Sequence, residues 1–61
     1  PMAKRVYMFG ARNLERARQH IQRHPGKDLV MLRAPDRRIA VCNRRFASVL
    51  REQGFTPIEE A

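Results

Sequence analysis

His20 and His24 stand at i and i+4 in a stretch of helical periodicity, a spacing at which two imidazoles can share one metal ion, with Cys42 as a third-ligand candidate. The rest of such a centre is missing. No glutamate occupies the place it has in a zinc-protease motif, there is no second cysteine, and histidines near a helix C-terminus commonly serve its dipole. Nucleophilic chemistry fares no better, because no Ser-His-Asp or Cys-His arrangement is readable. The three glycines are scattered rather than gathered into a phosphate loop, and Glu59 and Glu60 fall in the terminal stretch. The expectation is a non-enzymatic protein with no catalytic residue, no metal and no cofactor.

Charge says more. Lys and Arg total 13 against 6 Asp and Glu, a formal net charge of +7, and 11 of those cations are Arg. The planar guanidinium suits phosphate and carboxylate better than an ammonium point charge does. A small chain so charged is suited to acidic partners, either nucleic acid or an acidic protein surface. An anionic membrane would match the charge too, but no apolar run approaches the roughly 20 residues that span a bilayer, so no membrane is expected. The single cysteine excludes an intramolecular disulfide framework and suits a reducing compartment, so the expected location is cytoplasmic.

Pro1 precedes Met2 and Ala3 and reads as the remnant of a cleaved tag, with Met2 as the native start. Pro1-Met2-Ala3, with Gly10 closing the first strand, also resembles the small tautomerases. That resemblance ends at Gly10, and it implies the Pro1 amine as a general base.

The elements follow from local pattern. Lys4 to Phe9 is rich in β-formers and stops at Gly10. Leu14, Ala17 and Ile21 recur at helical spacing behind Asn13, a capping residue type, and His24-Pro25-Gly26 ends that helix, giving Asn13 to His24. Leu29-Val30-Met31-Leu32 reads as a strand apolar on both faces. Ala34-Pro35-Asp36-Arg37 has turn chemistry, with Pro35 in the second position, and leads into a strand at Ile39 to Cys42. Asn43 then caps a helix with Phe46, Val49, Leu50 and Gln53 on one side and Gly54 as its stop. Thr56 to Ala61 is expected to be a loose tail.

The expected fold is α+β, a single domain over residues 1–61. Its order is β-α-β-β-α, a two-layer sandwich in which a three-stranded sheet carries both helices on one face. If the third strand lies between the other two, the sheet is mostly antiparallel and resembles a ferredoxin-like fold lacking its last strand. A chain of 61 residues buries only about 60% of its unfolded surface, so dimerisation would help it.

With both helices on one face, the other face should be open and partly apolar. Strand alternation puts Arg5, Tyr7 and Phe9 together on one side as a partner-binding set. Val6-Tyr7-Met8 also resembles the first-strand motif of RNA-recognition motifs, which implies that Tyr7 stacks a base. Arg37 to Cys42 lacks that family's third-strand aromatics, and no final strand is evident, so base stacking is not expected.

On a helical wheel Arg12, Arg16 and Arg23 form one stripe, and Arg44 and Arg51 form another. If the helices lie side by side, the stripes and Arg45 make one positive surface for a phosphate backbone. Arg37 and Arg38 project from the hairpin tip. Two functions follow as expectations. One is a small basic nucleic-acid-associated protein, working as a homodimer, whose helix and hairpin arginines contact phosphates. The other is a protein-binding regulator or inhibitor of the phage or plasmid type, docking an acidic partner through the open sheet face or an edge strand.

Overall fold

The structure, a computed structural model, describes residues 4–59. The readings of Pro1 and of Glu60 and Ala61 lie outside the described residues.

Val6–Phe9 forms β1 and ends at Gly10, whose carbonyl accepts the Asn13 N–H at 2.9 Å. Leu14–Arg23 forms α1. Asn13 sits at its N-cap, but only the backbone takes part: the Asn13 carbonyl accepts the Ala17 N–H, and the side chain makes no capping bond. A 3-10 turn at Pro25–Lys27 ends on Asp28, in left-handed backbone at φ 51°, and leads to β2, Leu29–Arg33. The hairpin tip is closed by Arg37 N–H to Ala34 carbonyl at 2.9 Å and Ala34 N–H to Arg38 carbonyl at 2.8 Å. Pro35 therefore takes the second turn position, and Arg37 takes the left-handed position with φ 82°.

β3 is Ile39–Asn43 and runs directly into α2, Arg44–Glu52. Here the capping expectation holds in full, since the Asn43 side-chain oxygen accepts the Arg45 N–H at 2.7 Å. The far end of α2 is a Schellman motif, with Gly54 N–H to Arg51 carbonyl and Phe55 N–H to Leu50 carbonyl. Gly54 has φ 96°, which is why this stop is a glycine.

Thr56–Pro57 then forms a short strand, β4. It pairs with β2, and the Ile58 N–H reaches the Met31 carbonyl at 3.0 Å. The expected loose tail is therefore, over residues 56–59, the fourth strand of the sheet and the residues that follow it. Alternation explains the pairing: Phe55 packs with the core on one face and Ile58 with the core on the other. Pro57, which has no N–H to donate, is tolerated because the strand is an edge.

The sheet order is β1-β3-β2-β4, all neighbours antiparallel, so four strands replace the three expected. Its two faces are both covered. Ala40, Cys42 and Leu32 pack with Ala47 and Leu50 of α2, whereas Ile39, Val41 and Met31 pack with Ala17 of α1. Val6 and Met8 join the first cluster and Phe9 the second. The helices therefore lie on opposite faces, in three layers, and the expected two-layer sandwich with one open face is corrected.

Crossover geometry gives the reason. β1–α1–β2 and β3–α2–β4 each join parallel strands across one intervening strand, and both step the same way through the sheet. Because β3 runs opposite to β1, two right-handed crossovers stepping in one direction must place their helices on opposite faces. A last strand beside β1 would have stepped back and returned α2 to the face of α1. The broad open platform implied by resemblance to RNA-recognition motifs is removed by the same step, since a helix packs on each face of the sheet.

Candidate functional site

At one end of the sheet β1 and β2 begin, β3 ends, α1 finishes and α2 starts. A groove of about 750 Å³ opens there. Lys4 and Arg5, just ahead of β1, contribute to it, as do Lys27 from the 3-10 turn and Arg45 from the first turn of α2. His20 and His24 enter from the last turn of α1, and the apolar lining is Tyr7, Leu29, Phe46 and Val49. Among the described residues, no carboxylate lines it. Four fixed cations and two imidazoles thus face a concave, partly apolar surface, with the positive end of the α2 dipole beside them.

The rings are arranged around His20. Its centroid lies 4.5 Å from that of Tyr7, 5.8 Å from Phe9 and 4.7 Å from His24. The Lys4 ammonium sits 5.1 Å over the Tyr7 ring and the Arg5 guanidinium 5.7 Å over the Phe46 ring, both at cation–π range. Tyr7 is 37% exposed and Val49 38%, the two large apolar side chains most open to solvent among the described residues. His20 is held below its ordinary pKa of 6.5, first by its partial burial and then by the charges of His24 and Arg23.

Asn43, the only amide in the lining, is already committed. Its oxygen caps α2, and its Nδ2 donates to the Lys27 carbonyl at 3.4 Å. Asp28 stands outside the groove with its carboxylate 3.2 Å from Arg44 Nε, and its carbonyl accepts the Arg44 N–H. These bonds tie the start of β2 to the start of α2 and so fix the two sides of the groove relative to each other.

The residues singled out from sequence are divided among several places. Arg5, Tyr7 and Arg45 line the groove. Phe9 does not belong with Arg5 and Tyr7 as a binding set, since it is half-buried in the core under α1. Arg5 also leaves the expected alternation, because it precedes β1 and its guanidinium reaches Phe46 on the α2 side. Arg16 and Arg23 are exposed on α1, and Arg12 is exposed in the turn ahead of it, outside the helix, while Arg44 and Arg51 belong to α2. With the helices on opposite faces, the two stripes do not form the single surface expected of helices lying side by side.

Arg37 and Arg38 are at the far end of the sheet, where Arg38 Nε holds Asp36 at 2.7 Å. The Arg38 backbone N–H, and after it that side-chain contact, lower the Asp36 pKa. Nearby, Arg33 pins the hairpin to the β1–α1 loop through the Ala11 and Arg37 carbonyls. Arg44 and Arg51 also flank a smaller hollow of about 300 Å³ beside β4, but Glu59 shares it. Among the described residues, Arg12, Arg16, Arg23, Arg45 and Arg51 have no carboxylate partner.

His20, His24 and Cys42 do not converge. Cys42 is fully buried on the α2 side, where burial pushes its thiol pKa up, while the histidines are on the α1 side. Lys4, Lys27 and Phe46 were not singled out from sequence. Their signal was positional: residues just ahead of parallel strands share one end of a sheet with the last turn of the crossover helix. Compared with protein-family models, curated proteins and solved structures, the chain matches none.

Proposed function

We propose that the chain is a small, basic, non-enzymatic nucleic-acid-associated protein that holds phosphates at the groove where the two helices meet the end of the sheet. The observation that carries this is the lining itself, in which Lys4, Arg5, Lys27 and Arg45 converge with no carboxylate among the described residues that line it. Arginines outside the groove, with Arg16 and Arg23 on α1 and Arg12 just ahead of it foremost, extend the positive field and add contacts to a longer polyanion.

Fluorescence anisotropy with a labelled oligonucleotide tests it. Affinity should fall steeply with salt, and Arg45→Glu or Lys27→Glu should weaken binding by about tenfold or more and lower the salt slope by about one contact each. Absence of binding at about 50 mM salt, where phosphate contacts are strongest, would exclude it.

A protein-binding regulator is the second reading. The open outer edge of β1, which has a neighbour on one side only, favours it. An acidic partner adding a strand there would be released by a proline at an outward-facing position of β1, and salt would chiefly slow its association.

A further inference from the structure

We infer that the groove accepts a single strand rather than a duplex, with a base stacked on Tyr7 and its flanking phosphates on Lys4, Arg5 and Arg45; this rests on the nucleic-acid reading above. A groove of about 750 Å³ is a cavity of small-ligand size, and in a duplex the bases are stacked inside, out of reach of a ring in its lining. The rings are set for an unstacked base. One side of Tyr7 packs on His20, and the cation over the ring is Lys4, an exposed side chain on a flexible stem that can move from the ring to a phosphate. Phe46 is a second ring of the lining with a cation, Arg5, over it.

The same geometry argues for tolerance of sequence. The amide of Asn43 is committed to the Arg45 N–H and the Lys27 carbonyl, and no carboxylate among the described residues lines the groove. The remaining contacts are cations and π-faces, which every nucleotide can meet.

Tyr7 is the only tyrosine in a chain without tryptophan, so intrinsic fluorescence reports on this one ring. A short oligothymidylate should quench it on titration and should bind about tenfold or more tighter than a duplex of equal length at the same salt. Tyr7→Leu, shown to be folded by circular dichroism, should weaken single-strand binding by about 5- to 150-fold, the range of one lost stack, and Tyr7→Phe should restore it. Equal affinity for strand and duplex, or saturation without quenching, overturns the single-strand inference while leaving phosphate binding standing. Quenching by heparin to the same extent overturns it too, since heparin carries charge but no base. Loss of all nucleic-acid binding at about 50 mM salt removes the underlying reading with it.

Discussion

His20 is where structure and function pull a single residue in opposite directions. Its ring packs among Tyr7, Phe9 and His24, and partial burial, His24 and Arg23 hold its pKa below 6.5. The groove that His20 lines is cationic, with Lys4 and Arg5 ahead of β1, Lys27 in the 3-10 turn and Arg45 on α2. Above pH 6.5 neither the folded nor the unfolded ring is protonated, and below the folded value both are. Between these points the unfolded chain binds more protons, so stability rises with pH across the window. Melting temperatures from pH 5 to 8 should therefore climb through the range just below 6.5, and His20→Gln should flatten that climb. On the proposed function, a phosphate bound in the groove should act the other way by favouring imidazolium. Oligonucleotide affinity should then increase as the pH falls through the same window, and His20→Gln should remove that increase as well.

At the scale of elements, the ends of α2 show how local chemistry sets the larger geometry. Asn43 begins the helix and Gly54 ends it, and the turn at Gly54, with φ 96°, sends the chain back to lay β4 along β2. Gly54→Ala forces a side chain into left-handed backbone and sets its Cβ 3.4 Å from Pro35 Cγ. A loss of about 1–2 kcal/mol is expected, seen as a lower urea midpoint, together with faster hydrogen exchange at the Ile58 amide that β4 protects. Much of this was legible in the sequence. Both helices, the first three strands, the Asn43 cap, the Gly54 stop and the Pro35 turn were all marked by residue type and period. The fourth strand was not, because a two-residue strand carrying a proline has almost no local signal and is held by its partner β2. One missed strand had a large consequence. Its place on the outer edge of β2 decides which face α2 covers, so the expected open sheet face was lost along with it. The site was legible only in part: Arg5 and Tyr7 were found in a partner-binding set and Arg45 in a phosphate-binding one, and the convergence of the two sets depended on the topology.

For the whole molecule, charge acts on folding and on binding with opposite sign in salt. The fold measures 26 × 24 × 23 Å, and the chain carries a net +7. At about 10 mM salt the screening length is about 30 Å, so every cation senses every other, whereas at about 150 mM it is about 8 Å and only neighbours interact. The described ion pairs that salt could weaken are few and exposed: Arg18 with Glu15, Arg38 with Asp36, and Arg44 with Asp28. Exposed pairs of this kind contribute roughly 0–1 kcal/mol each. Relief of self-repulsion should therefore outweigh them. The melting temperature of the free protein should rise between about 10 and 150 mM salt and level off beyond, while oligonucleotide affinity falls across the same range. With a saturating oligonucleotide present the trend in melting temperature should invert, because the bound state neutralises the cations that salt would otherwise screen. A free-protein melting temperature that falls with added salt would mean that ion pairing, rather than repulsion among the arginines, governs the electrostatics of this fold.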